Sequence, residues 1–287
     1  MTRAAPPRQS PHKTLLLLSL LALPCLSLAQ TPAARMMPDG SRDLYFGVGV
    51  SSTPRYQGAA SRKTDPVALI QLQWSSGLFF SGLSAGMHLS AEPHLEFGPL
   101  LAIEPGRSTS GQGKLSEIGD VGGASIAAPV ETEPARQLQF SEVPSRPVAG
   151  AFFNYYLDES LRVTSSMLYG SGQDRNGLLA GVGLQKGVAV APHHKLSVTL
   201  GANWGNRRYH QAYFGVAGGQ DKSIAGYAPS AGVRDLHLTF HWNWELSNLW
   251  LLTSRFSVYR LTGDAATSPL VERRSQVSVR TGLAYRF

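Results

Sequence analysis

The 287-residue chain is short of several things, and each shortage excludes a class. It has one cysteine, Cys25, so neither a disulfide scaffold nor a cysteine-based metal centre is available. Charged residues make up 16% of it, against about a quarter in ordinary soluble domains. A charge-rich disordered chain is therefore excluded. Mean hydropathy is −0.10 and the single long apolar run is N-terminal, which excludes a bundle of membrane helices. No apolar repeat of helical period follows Ala29. The formal charge of +7 falls to +4 once Arg3, Arg8 and Lys13 are assigned to a removed leader. That excess is too weak to argue for nucleic acid as a partner. What remains is a soluble β-rich domain or a membrane β-barrel, whose apolar and polar residues alternate and cancel in an average.

The N-terminus reads as a secretory signal peptide over 1–29. Met1–Lys13 is polar and basic without an acid, Leu15–Ala29 is apolar apart from two serines, and Ser27-Leu28-Ala29 supplies small residues before Gln30. A spanning helix would need about 20 residues, and Pro24 interrupts this run. Pro24 also occupies a position that lipidation at Cys25 would require to be small, so Cys25 is expected to leave with the leader.

Alternation with period two recurs through the rest of the chain. In 236-LHLTFHWNWEL-246, Leu236, Leu238, Phe240, Trp242, Trp244 and Leu246 share one face, and His237, Thr239, His241, Asn243 and Glu245 share the other. Eleven residues match the roughly 9–11 of a tilted membrane strand, and the tryptophans suit an interfacial girdle. The same rule gives strands at 44–52, 66–74, 78–89, 94–104, 118–128, 148–158, 161–170, 178–189, 195–205, 249–261 and 275–287. The fold class expected is all-β: a transmembrane antiparallel barrel of about twelve strands, with ten as the main rival. A wall in a bilayer must close, because an open sheet edge leaves backbone groups unpaired. With the first strand running outward, short periplasmic turns are expected at 75–77, 159–160, 190–194 and 247–248, and longer outer loops at 53–65, 129–147, 171–177, 206–235 and 262–274. Two links depart from this rule: 90–93 is short on the outer side, and 105–117 is long on the periplasmic side. The expected organisation is leader 1–29, periplasmic segment 30–43 and barrel 44–287, with no second domain.

Several segments together resemble the MipA/OmpV family of Gram-negative outer-membrane proteins. They are 46-FGVGVSSTPRYQGA-59 with Pro54, Tyr56 and Gly58, 209-YHQAYFGV-216 before 226-GYAPSAGVRDL-236, 261-LTGDAATSPLV-271 with Asp264, Ser268 and Pro269, and the closing 282-GLAYRF-287. The segment 129–147 matches nothing in that family. The resemblance implies an outer-membrane barrel without established enzymatic activity. It also implies scaffolding between a lytic transglycosylase and a peptidoglycan synthase of the penicillin-binding class. A terminal Phe on an alternating strand is similar to the signal read by the barrel-assembly machinery, a role carried onto Tyr285 and Phe287.

Reactive chemistry is sparse. His237 and His241 lie four apart, but without the glutamate of H-E-x-x-H and on a strand, where they stand about 13 Å apart. His193-His194 reads as a solvated turn, and the glycines of 170–177 and 181–187 fit neither dinucleotide nor phosphate-loop spacing. No nucleophile motif appears, so no enzyme, cofactor or metal is expected. The polar set on the expected inner faces is His237, Asn243, Glu245, Arg255, Arg280 and Arg286. Such charges must pair or meet water, forming either a salt-bridged plug or a narrow polar pore. Outer-loop cations Arg207, Arg208, Lys222, Arg273 and Arg274 make lipopolysaccharide phosphates a candidate partner beside membrane lipid. Two functions stay open: a scaffold touching murein enzymes, with 105–117 as contact loop, or a small-solute channel or surface receptor.

Overall fold

The computed structural model describes residues 42–90, 92, 94–106, 115–116, 143–218 and 226–287. The expected leader, Cys25, most of 30–43, the expected strand 118–128, Lys222 and most of 105–117 and 129–147 lie outside the described residues.

Twelve antiparallel strands form the wall: β1 (Arg42–Pro54), β2 (Arg62–Trp74), β3 (Leu78–Ser81), β4 (Ser84–Met87), β5 (Leu95–Glu104), β7 (Arg146–Tyr156), β8 (Leu161–Ser171), β9 (Gly177–Ala191), β10 (His194–Gly205), β11 (Gly232–Glu245), β12 (Trp250–Leu261) and β13 (Ser275–Arg286). Between β5 and β7 a two-residue piece, β6 (Leu115–Ser116), pairs in parallel with Ala68–Leu69 of β2. Each wall strand pairs with its neighbours in the chain, and β1 pairs with both β2 and β13, so the sheet closes on itself. Closure removes the edges that a bilayer cannot tolerate. Two short helices, α1 (Arg207–Phe214) and α2 (Gly263–Thr267), sit within the β10–β11 and β12–β13 connections. Among the described residues no helix is long and apolar enough to cross a membrane.

The alternation read from the sequence corresponds to real faces. Val48 is 74% exposed on the outside of β1, and Phe153, Met167, Val182, Leu200, Phe256 and Val279 stand outward around the wall. Inward positions are polar, small or packed. Asn154, Gln185, Ser197 and Ser257 are buried, as are the apolar side chains Phe79, Leu100, Val148, Phe152 and Leu168 that form one interior cluster. A smaller group, Leu69, Leu251 and Ala284 with Tyr45 against it, fills the interior near β1, β2, β12 and β13.

One expected strand is two. The segment 78–89 reverses at Gly82, which takes φ +57, and β3 and β4 form a hairpin of four residues each. The hairpin stops where the Gly82 N–H reaches the Ile70 carbonyl, 3.0 Å away, well short of the far end of β2. This extra reversal corrects the sides of two links. Residues 88–94 lie at the short-turn end, and the connection after Glu104 leaves from the opposite end, where Glu104 is in register with Arg146. The chain therefore leaves β5 for 105–117 at the long-connection end. The length of that link stops being an exception, because every long connection now leaves one end.

Candidate functional site

The barrel interior is organised as two polar clusters separated by packed side chains. Near the short-turn end, Glu96 of β5 is 2% exposed and Asn154 of β7 is 0% exposed. Asn154 Nδ2 donates to Glu96 Oε2 at 2.9 Å, and the Tyr156 hydroxyl donates to Glu96 Oε1 at 2.8 Å. Arg162 of β8 faces the same carboxylate at 3.5 Å, donates to the Tyr156 oxygen at 2.9 Å and reaches Gln185 of β9 through Nε. The register makes this possible: Glu96, Asn154, Tyr156, Arg162 and Gln185 are inward positions at nearly one level on four successive strands. His88 lies beside them, its ring 4.9 Å from that of Phe79 and 5.2 Å from that of Phe152. A buried charge pair needs such added hydrogen bonds to offset desolvation.

The second cluster lies at the long-connection end, beneath α1. Asn206 caps that helix, its side chain accepting from the Tyr209 N–H at 2.8 Å. The cap turns Tyr209 into the mouth. Arg234 of β11 donates to the Tyr209 hydroxyl at 2.6 Å and to Asp235 at 2.5 Å, and the Tyr209 hydroxyl donates to Glu104 at 3.3 Å. Burial pushes the Tyr209 phenol well above its ordinary range despite the nearby Arg234. Asn203 and His237 both meet Asp235 Oδ1, at 3.0 and 3.3 Å. Around this cluster Leu179, Tyr209, Phe214, Leu261, Ala265 and Ala266 pack together, so α1 and α2 join the core as a cap. His210 is buried in it. Its Nδ1 meets the Ser230 carbonyl at 2.6 Å, and burial holds its pKa below the usual imidazole value.

The six polar residues singled out in the sequence occupy inward positions on neighbouring strands but do not form one site. His237 joins the Asp235 cluster. Arg255 and Arg280 are register partners at mid-wall, beside His241 on one flank and Ser51 on the other. Asn243 is in register with Lys195, and Glu245 pairs with Lys195 at 2.7 Å, at the short-turn mouth. Arg286 pairs with Asp43 at 2.7 Å on the same rim. Sequence reasoning missed Glu96, Arg162, Glu104 and Arg234. Their signal was a charged residue in the inward phase of a strand, present at Glu96 and Glu104 in 94–104.

The motif residues converge instead at the long-connection end. Gly58, at φ +103, donates its N–H to Gln276 Oε1 at 2.9 Å, and its carbonyl accepts from Glu272 and Arg273, both at 2.8 Å. Gln276 also donates to the Tyr56 carbonyl at 3.2 Å. Asp264 accepts from the Ser230 N–H at 2.7 Å, and the Ser268 hydroxyl donates to the Phe214 carbonyl at 2.6 Å. Pro54 ends β1, and Pro269 is exposed beside Ser268. These contacts tie three connections into one cap. Tyr285 and Phe287 lie at the other end, in an outward aromatic group with Trp250 and Phe46, ring centroids 4.8–5.5 Å apart. Among the described residues no group of three or more His, Cys, Asp or Glu side chains is arranged to hold a metal ion.

The family model described as "MltA-interacting protein MipA" matches residues 46–287. The chain belongs to that family. It is an outer-membrane β-barrel, and the short-turn end is the periplasmic one. Curated protein sequences give no match. Solved structures similar to this MipA-family chain include a KdgM porin, at 9% identity and TM-score 0.40, covering 85% of this chain and 99% of that one. Another is the toluene transporter TodX of Pseudomonas putida, at 11% identity and TM-score 0.36, covering 90% and 92%. A third is the outer-membrane channel DcaP of Acinetobacter baumannii, at 7% identity and TM-score 0.37, covering 88% and 99%.

Proposed function

We propose that this MipA-family barrel is a non-enzymatic scaffold that holds a lytic transglycosylase, and through it a murein synthase of the penicillin-binding class, against the outer membrane. The observation that supports the proposal is the family match across 46–287, a family named for an MltA-interacting protein. The interior agrees with it. Buried apolar side chains from β3, β5, β7 and β8, a buried ion-pair network and a helical cap fill part of the described lumen, as a scaffold permits. A cleaved signal peptide at 1–29 and delivery by the barrel-assembly machinery through Tyr285 and Phe287 belong to the same reading.

The chain leaves β5 toward 105–117 at the cell-surface end, so the contact surface in this reading lies elsewhere. It is the periplasmic rim, built from the turns 75–77, 88–94, 157–160, 192–193 and 246–249. The 157–160 turn is held by hydrogen bonds of its own. Asp158 accepts from the Ser160 hydroxyl and N–H, both at 2.7 Å, and from the Leu161 N–H at 2.8 Å. Those bonds hold its carboxyl below the usual range, so it stays ionised, with Lys186 facing it at 3.9 Å. Affinity purification from cross-linked envelopes tests the scaffold. Co-recovery of a transglycosylase that is lost when the 157–160 and 246–249 turns are replaced supports it. No murein enzyme recovered, together with discrete conductance steps in planar bilayers, replaces the scaffold with a channel.

A further inference from the structure

We propose that the outer rim of the β12–β13–β1–β2 face binds the phosphorylated headgroup of an outer-leaflet glycolipid through Arg62, Arg260 and Arg273. The inference starts from which way these side chains leave the wall. On β2 the inward positions include Leu69 and Gln71, so Arg62 stands on the outward, lipid-facing phase at the cell-surface end of its strand. On β12 the inward positions include Ser257 and Tyr259, so Arg260 stands outward as well, in register with Ser275 of β13. Arg273 lies two residues before that strand and is exposed, as are Arg62 and Arg260.

The Arg62 guanidinium is fixed in place without a carboxylate. Its Nη1 donates to the Val277 carbonyl at 2.5 Å, and its Nη2 donates to the Ser52 carbonyl at 2.9 Å and the Ser52 hydroxyl at 3.1 Å. The side chain therefore crosses β1 to reach β13. Val277 is the register partner of Val258, two residues from Arg260 on the same face, so the two arginines belong to one stretch of the outer wall. A guanidinium has five N–H donors, so Arg62 keeps donors beyond those its carbonyl partners use.

Nearby acids are engaged elsewhere. Asp65 faces inward and pairs with Lys63 at 3.3 Å, and the Glu272 carboxylate accepts from the Ala60 N–H at 2.7 Å. Beneath the arginines the same face is apolar: Val258, Phe256, Val279, Val50 and Val48 stand outward in the hydrocarbon zone. Cations above an apolar wall complement one class of molecule, an amphiphile with a phosphate-bearing head and acyl chains. At the cell-surface end of an outer-membrane barrel that is the phosphorylated glycolipid of the outer leaflet. Arginine forks match phosphate oxygens in a bidentate manner.

The test measures thermal unfolding of the full chain in neutral detergent, titrated with bisphosphorylated lipid A, with its dephosphorylated form and with phosphatidylglycerol. Lipid A raises the melting temperature of the native protein, and the dephosphorylated form does so less. Each basic side chain at a membrane surface contributes roughly a factor of five in affinity. R260Q/R273Q therefore weakens lipid A binding by about 25-fold while melting normally without lipid. R62Q extends the loss if it folds, and the double variant keeps the test intact if it does not. R207Q/R208Q, on the helical cap at the same end, leaves the affinity unchanged. Equal stabilisation by phosphatidylglycerol, an unchanged affinity in R260Q/R273Q, or an equal loss in R207Q/R208Q overturns the proposal.

Discussion

Removing the Glu96 carboxylate tests the claim that the interior is held by mutual satisfaction of buried charges. Glu96 is 2% exposed and takes hydrogen bonds from Asn154 and Tyr156 while facing Arg162 at 3.5 Å. Glu96→Leu leaves the guanidinium without that carboxylate, and leaves an amide and a phenol to find new acceptors. Truncating one partner of a buried pair costs about 3–5 kcal/mol, chiefly because the other charge stays buried. Arg162→Met leaves a buried carboxylate, still hydrogen-bonded, and its cost falls in the same range. Replacing both by apolar side chains removes the desolvation problem itself, so Glu96→Leu/Arg162→Met costs much less than the two single changes added together. Reversible urea unfolding in phospholipid vesicles, followed by tryptophan fluorescence, reads all four corners of the cycle. Single changes costing under about 1 kcal/mol, or a double equal to the sum of its singles, would refute the reasoning and make the pair an incidental contact.

Gly58→Ala should loosen the cell-surface cap without opening the wall, since an added Cβ lies 2.7 Å from Val271 Cγ2 at a backbone φ of +103. A cost of about 1–3 kcal/mol is expected, and faster external proteolysis with an unchanged far-ultraviolet spectrum is the sign to look for. The lowered His210 pKa gives a stability that is complete above about pH 6.5 and declines as pH falls toward the folded value, because the unfolded chain then binds the extra proton. His210→Phe should flatten that part of a stability-versus-pH curve, and an unaltered slope would remove His210 as its source. Val48→Arg, at the middle of β1 on the lipid face, should cost about 2–4 kcal/mol in bilayers, measured by the same urea titration, with a near-neutral result placing Val48 away from the bilayer core.

Most of the wall was legible because a membrane barrel writes its two faces into alternate residues. In 236-LHLTFHWNWEL-246 every apolar residue stands outward, as the alternation required. The β3–β4 hairpin was not read, although its sign was present. The outward set runs Leu78, Phe80 before Gly82 and then Ala85, Met87, Leu89 after it, so the apolar phase shifts from even to odd positions. That slip marks a reversal, and missing it put the exit from β5 at the wrong end of the barrel. The interior clusters were less accessible for a different reason. Glu96 and Arg162 are 66 residues apart, and they meet only because strand order and register fix their level across three strands. Periodicity along one strand carries no information about that. The helical cap escaped for a third reason: eight residues of α1 are too few for a helical period to emerge, and the Asn206 cap was the available sign.

The closure of β1 on β13 also has a consequence in time. Tyr45 finds its partner in Arg286, almost at the far end of the chain, and Gly49 meets Gly282 along the same seam. Until the final dozen residues have been synthesised and translocated, β1 has only β2 beside it, and its other edge can bind any extended segment it meets. Without β13 the sheet keeps two open edges, and the last strand is the one that joins them. Truncations at the C-terminus should consequently be far more damaging than their length implies, accumulating as aggregates upstream of the membrane instead of as slightly shortened barrels within it.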